Sequence, residues 1–535
     1  MGGSADDRNH DSATAGGGEL SRRELLRAGA AGAILLGTGG LLEGQAARAG
    51  TARAGASKPN RGGTLRVGIA GGSPTDDFDM AHVNGPSETV RDQVFYETVT
   101  YLDGHFHLDD HFLCTECQPN ATADKWTVQL KDGVEFHNGK TLSADDLLFS
   151  IKRLLNPKSG ATAAGQLVGI DLARTRKLDK RTVEFALKRP YSFFDYLLSD
   201  IVYVVPVGYD PKQPVSTGPW KFTSFQPARQ TVLERFANYH GTPAYADELM
   251  LVELPDDSAR VNALLSGQVD AINQVPYAQV AQLKQQSGLQ VAISQTGAWN
   301  PITMRVDVAP FNDVRVRQAI RLCMNRTQAV ATALFGQGVP AADTYGRFDP
   351  SFDASLKRNQ DIAKARSLLK QAGKEGLKVE LVTSPIAAGI VQASQVLAEN
   401  AKAAGVTISV RQVDPGTYFS RYGKWPFAID YWVGLPYLVI ASIADGPGAN
   451  VVNVTHFDDP QFNSLFNQAS KQLDLAKRTE LVHEMQRIQY DRGGYLIWSF
   501  QNGVDAYSDK LGGIQPIDET GWGLGRCQLH KLYFK

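Results

Sequence analysis

Apolar and polar positions alternate with a period of two over Thr64-Leu65-Arg66-Val67-Gly68-Ile69, which predicts a strand leading into the turn Gly71-Gly72-Ser73-Pro74. Ser87 to Leu102 carries Val90, Val94, Phe95 and Val99 at helical spacing, and strands and hairpins follow up to Phe136. Asn138-Gly139 marks a tight turn. Ser143-Ala144-Asp145-Asp146, placed ahead of Leu147, Leu148, Phe149 and Ile151, predicts a helix capped by Ser143 with acidic residues at its positive end. A second αβ stretch includes Leu233-Glu234-Arg235 and a strand from Leu249 to Leu254. Asp256 or Asp257 then caps a helix through Val261, Leu264 and Leu265, which Gly267 ends in the left-handed conformation, and Val269 to Ile272 forms the next strand. The pattern restarts at Pro310-Phe311-Asn312-Asp313, where Asp313 caps a helix with Val314, Ala319, Ile320 and Leu322 as its buried stripe. We place a domain boundary there. From it to about Ser499 helices alternate with strands at Lys378 to Val382, Thr407 to Val413 and Phe427 to Trp432, so the expected class is α/β with mixed sheets.

The first 49 residues read differently. Ser21-Arg22-Arg23-Glu24-Leu25-Leu26 precedes a weakly apolar stretch, Ala28 to Leu42, that holds five glycines and is too short to span a membrane. Small residues at Ala47-Arg48-Ala49 and Ala52-Arg53-Ala54 give two candidate cleavage sites. The arrangement resembles a twin-arginine export signal, and no cysteine follows it to carry a lipid anchor. A soluble, periplasmic or otherwise extracytoplasmic protein is expected. In 535 residues, 43% are hydrophobic and 21% charged, which excludes disorder and a multi-span membrane protein. With Lys plus Arg at 55 and Asp plus Glu at 56, no net field draws a nucleic acid, so recognition rests on a local site. Four cysteines make no disulfide framework.

Catalytic signatures fail on spacing. Gly133 to Thr141 has one residue too many for a phosphate loop, and Arg487 stands where a zinc-protease helix beginning His483-Glu484 needs its second histidine. Ser367-Leu368-Leu369-Lys370 lacks the companion motifs of serine β-lactamases. The row His105, His107, Asp109 and His111 would share one face of a strand and is the candidate metal site, with Cys114 and Cys117 nearby as thiolates or a small disulfide. A hairpin with a solvated polar face has the same alternation and is preferred, so no metal is assigned. Cys323 falls in an apolar helical stripe and reads as a core thiol.

The segment Trp126-Thr127-Val128-Gln129-Leu130-Lys131-Asp132-Gly133-Val134-Glu135-Phe136-His137-Asn138-Gly139-Lys140, with its continuation to Ile151, resembles the signature of the peptide- and nickel-type solute-binding proteins of ABC importers, extracytoplasmic family 5. Ser216-Thr217-Gly218-Pro219-Trp220, Val232-Leu233-Glu234-Arg235-Phe236, Ala259 to Gly267 and Asp313 to Ile320 continue the resemblance in order. It implies a two-lobed periplasmic-binding-protein-like fold. Lobe I would comprise 60–99, 206–305 and 500–535, an inserted subdomain 100–205, and lobe II 306–499. It also implies a non-enzymatic protein, without cofactor and monomeric, that closes on a small-molecule or peptide-like ligand. Delivery would be to permease subunits driven by a cytoplasmic ATPase, with membrane contact only through the permease.

Peptide binders of this family carry W-x-x-D-Y in the second lobe, whose aspartate pairs with the peptide ammonium. Here Trp432-Val433-Gly434-Leu435-Pro436-Tyr437 puts Leu435 at that position, which disfavours a free peptide N-terminus in the usual pose. Asp430, two residues before Trp432, is the displaced carboxylate candidate. Arg305 is positioned either to grip a ligand carboxylate or to form an interlobe salt bridge with Asp307 or another acid. Trp299, Trp432 and Tyr437 are candidate stacking surfaces, with Phe500 and Gln501 as further ligand contacts. The expected ligand is zwitterionic or amino-acid-derived. A secreted metal-dependent hydrolase using the histidine row, and an extracytoplasmic chaperone or sensor with the same lobes, are the alternatives.

Overall fold

The computed structural model describes residues 59–535 apart from 84, 110, 111, 163, 168, 450, 451 and 516; the export signal over 1–49 and His111 lie outside the described residues. Among the described residues the largest sheet has nine strands. In chain order they are β1 (Thr64–Ile69), β2 (Trp220–Gln226), β3 (Gln230–Arg235), β4 (Glu248–Glu253), β5 (Ala271–Ile272), β6 (Leu289–Met304), β7 (Gly338–Pro340), β8 (Phe427–Ile429) and β9 (Tyr495–Ser508). Their spatial order is β8, β6, β9, β5, β1, β4, β3, β2, with β7 paired to β9. β1 runs parallel to β4 and β5, and the remaining pairs are antiparallel. The period of two in β1 puts Leu65, Val67 and Ile69 into the core, each contributing about 1.5–3 kcal/mol of burial.

Four smaller sheets accompany the nine-stranded one among the described residues, two of them short antiparallel pairs, Tyr101–Leu102 with Leu108–Asp109 and Leu511–Gly512 with Tyr533–Phe534. A four-stranded antiparallel sheet is built from Cys114–Pro119, Lys125–Leu130, Arg176–Lys177 and Thr182–Ala186, and a parallel pair from Lys378–Thr383 and Thr407–Gln412. The motif-rich segment around His137 is scaffold. His137 N donates to Ser216 O (2.9 Å), its Nδ1 accepts from Ser216 N (3.3 Å) and its Nε2 meets Gly218 O (3.0 Å), so the imidazole pins the Trp126–Lys140 signature onto Ser216-Thr217-Gly218. Burial lowers the pKa of this ring to about 4, which keeps it neutral.

The expected caps form. Asp146 accepts from Ser143 N (3.0 Å) and Ser143 Oγ (2.6 Å) at the start of helix Ala144–Leu154. Asp256 Oδ1 accepts from Ala259 N (2.7 Å), Asp313 Oδ1 from Arg315 N (2.9 Å), and Gly267 has φ +72°. Cys323 is buried, which pushes its thiol up to about 12. Three expected elements are shorter than their patterns. The strand expected over Val269 to Ile272 forms only at Ala271–Ile272, because Val269 N bonds back to Ala263 O (3.2 Å) in the preceding helix. The helix at Ser87 stops at Phe95, because Glu97 and Thr98 turn to pair with 203–204 instead (Val204 N to Glu97 O, 2.9 Å). The strand from Phe427 ends at Ile429, where its partner β6 shifts register on either side of Trp299. No helix among the described residues is long and apolar enough to cross a membrane.

Candidate functional site

β6 and β9 are the longest strands, at 16 and 14 residues, and they pair from Leu289 with Ser508 to Thr303 with Tyr495. Where the pairing is irregular, a cavity of about 710 Å³ opens beside them. One wall comes from Gln274 to Tyr277 and the helix bearing Arg260, the opposite wall from 385–392, Phe419, Tyr431 and Trp432, and Asn300 and Gln501 come from the crossing strands. The volume falls within the ordinary range for small-molecule sites.

The polar lining is dominated by carboxamides: Gln274, Asn300, Gln392, Gln412 and Gln501. Its two charged side chains cancel each other. Arg260 Nη2 donates to Asp257 Oδ1 (2.6 Å), and the same guanidinium is held by the carbonyls of Leu254, Asn273 and Gln274 at 2.8–3.1 Å. Asn300 Nδ2 reaches Ala388 O (3.3 Å) on the far wall. By contrast, the Nε2 atoms of Gln274 and Gln501 are buried without a partner in the protein, and Gln501 is only 1% exposed. A buried unpaired amide donor is costly unless something in the site accepts from it.

The apolar wall is held by a ladder of rings. Trp432 stacks on Trp299 (5.4 Å, 6°), Trp299 on Tyr345 (5.2 Å, 20°) and Tyr345 on Tyr437 (4.9 Å, 28°). The ladder ends on polar anchors: Tyr437 donates to Gln489 Oε1 (2.6 Å), while Gln489 Nε2 (2.6 Å) and the Tyr345 hydroxyl (2.9 Å) both donate to Asp445 Oδ2. At the cavity end, Trp432 Nε1 donates to Asp430 Oδ2 (2.9 Å) and the Tyr422 hydroxyl to Asp430 Oδ1 (3.0 Å). Burial drives Asp430 up to about 7 and Asp445 to about 6, against the opposing pull of these hydrogen bonds.

Comparison with known proteins places this architecture. Residues 112–440 match the model of the bacterial extracellular solute-binding proteins, family 5 Middle. The chain belongs to that family. It is 24% identical over 485 residues to the glutathione-binding protein GsiB of Pectobacterium atrosepticum, covering 84% of this chain and 92% of that protein. Among solved structures it resembles the periplasmic binding protein DppA of Helicobacter pylori in complex with the peptide STSA (TM-score 0.77, 21% identity, 89% of this chain and 98% of that one). NikZ of Campylobacter jejuni in complex with Ni(L-His) is similar (TM-score 0.76, 18% identity, 88% of this chain and 99% of that one). The fold is that of the two-lobed binding proteins.

In this family 5 protein Trp432 and Gln501 line the cavity, while Trp299, Asp430, Tyr437 and Phe500 stand behind it. Asp430 is 1% exposed and already shared by Trp432 and Tyr422, so it positions the indole. Phe500 packs edge-on against Phe352 (6.0 Å), on the opposite side of β9 from Gln501. Arg305 lies outside the cavity, with Nε and Nη2 on the two oxygens of Asp307 (3.0 and 2.6 Å), which also receives His456 (3.2 Å). Of the two readings open to Arg305, the structure contains the ion pair. Leu435 is buried away from the cavity, beside Asp200. His105, His107 and Asp109 do alternate outward around buried Phe106, but His105 and His107 stack on each other (6.0 Å), His107 Nδ1 lies 3.7 Å from Asp103 Oδ2, and no group of three metal-ligating side chains assembles among the described residues. Gln274, Asn300, Gln392, Gln412, Tyr277, Phe419 and Tyr431 were not legible as site residues. Asn300 alone carries a local signal, as the neighbour of Trp299 on a strand whose faces alternate.

Proposed function

We propose that the protein is the substrate-binding component of an ABC importer, which captures a small or medium organic solute in the cavity beside β6 and β9 and hands it unaltered to a membrane permease. The observation that carries this reading is a cavity of about 710 Å³ whose walls come from distant parts of the chain and whose polar lining is mostly carboxamide, Gln274 and Gln501 among them. A ligand touching both walls favours the closed arrangement, and only such differential affinity shifts the two-state balance. Family membership and the glutathione-binding, peptide-bound and nickel-chelate-bound relatives support capture over catalysis. In this reading residues 60–99, 206–305 and 500–535 make lobe I, 100–205 its insertion and 306–499 lobe II. The chain is exported through its paired arginines, Arg22-Arg23, and works as a monomer.

Equilibrium dialysis against a mixed library of sugars, dipeptides, glutathione and metal–histidine chelates, read by mass spectrometry, tests capture. Retention of a compound at about one per chain, recovered unchanged, is expected, with stabilisation near 2.7 kcal/mol at 100 times its dissociation constant. Chemical conversion of the retained compound, or retention of nothing, would overturn the proposal.

A further inference from the structure

We infer that the solute is uncharged and rich in hydroxyl groups, of the class of neutral oligosaccharides, an inference that rests on the capture reading above. Three features of the cavity point to this class. First, its polar groups are carboxamides, each offering a donor and an acceptor, the pairing that a hydroxyl group also offers. Gln501 and Gln274 are among the lining residues, each with an Nε2 donor that has no partner in the protein, and Gln274 is held at φ +53°, a conformation that costs energy for a residue other than glycine.

Second, the cavity has no spare charge. Arg260 and Asp257, the charged residues of its lining, neutralise each other at 2.6 Å, and Asp430 and Arg305 are occupied by Trp432 with Tyr422 and by Asp307. An ammonium or carboxylate entering here would lose its hydration without gaining a counter-ion, a loss of several kcal/mol for a buried ion. Third, Trp432 offers carbon surface and nothing else. One face lies on Trp299 and the indole N–H belongs to Asp430, so what reaches the cavity is flat and apolar, the complement of the C–H face of a pyranose ring. With about 710 Å³ available, the space suits more than a single ring.

Titration calorimetry with cellobiose, maltose and lactose, set against lactobionate and the dipeptide Ala-Phe, tests the class. At least one neutral disaccharide should bind with a dissociation constant below about 100 µM, lactobionate and Ala-Phe at least about tenfold more weakly, with little change between low and high salt. Gln501→Ala should weaken the sugar about tenfold or more. It should leave the melting temperature of the free protein level or higher, since the buried Nε2 donor it deletes has no partner within the protein. Arg305→Ala should bind as the wild type does. If Ala-Phe or lactobionate binds more tightly than every neutral disaccharide, the class is wrong while capture stands. If no neutral disaccharide binds, the class is wrong as well, and the dialysis experiment decides separately whether capture survives.

Discussion

At the scale of single residues, Asp430 shows how a buried carboxyl braces the wall of the cavity. Its oxygens fix Trp432 and Tyr422, and burial raises its pKa from 3.8 to about 7. A carboxyl with a higher pKa in the folded chain contributes fully below the unfolded value and loses that contribution as pH rises through the folded one. Asp430→Asn retains an acceptor for the indole and removes the ionisation. Between pH 4 and 7 the wild type should therefore lose stability relative to this variant, by on the order of 1–3 kcal/mol, and the difference should level off above pH 7. His137 and His530, whose pKa values burial lowers to about 4 and about 3, act in the opposite sense in both proteins and cancel in the difference. Denaturant unfolding across that range checks the prediction, and a constant gap would refute it. The sequence pointed to Trp432 and Gln501 because an aromatic and an amide stand out beside the family's second-lobe motif and at the return strand. Gln392, Gln412 and Gln274 had no such marker, since their membership of the site depends on tertiary approach and, for Gln274, on a left-handed backbone.

At the scale of elements, local chemistry specified starts better than ends. Ser143, Asp256 and Asp313 announced helices through capping, which depends on residues a few positions apart. The ends at Phe95 and Ile429 depend on pairing with distant segments, at residues 203–204 and at the irregularity around Trp299, and no local period encodes them. That irregularity also demands close approach. Gly297 and Gly434 lie against each other, and a Cβ on Gly434 would meet Gly297 Cα and Glu519 O at 2.9 Å, all of it backbone. Gly434→Ala should lower stability by about 1–3 kcal/mol and weaken solute binding, because Trp432 lies two residues away. Calorimetric melting with and without the bound solute checks both effects. An alanine variant as stable and as tightly binding as the wild type would show that this crossing tolerates a side chain.

At the scale of the molecule, the two-lobed fold was legible through an ordered series of motifs, yet those motifs are scaffold. His137 illustrates why: its contacts with Ser216 and Gly218 hold two signature segments together, remote from the amide-lined cavity. The ligand class was not legible: the sequence left Arg305 open between a ligand carboxylate and Asp307, and nothing local marked Trp432 and Tyr422 as the partners that occupy Asp430. The central claim is that a solute sits between Trp432 and Gln501, beside the crossing of β6 and β9. The most direct measurement is a crystal structure of the protein carrying the compound it retains in dialysis. The account predicts density for that compound, chemically intact, against the free surface of Trp432 and within hydrogen-bond distance of Gln501 Nε2. Density at the Arg305–Asp307 pair or along the His105–His107 face, with the amide cavity filled only by water, would contradict it.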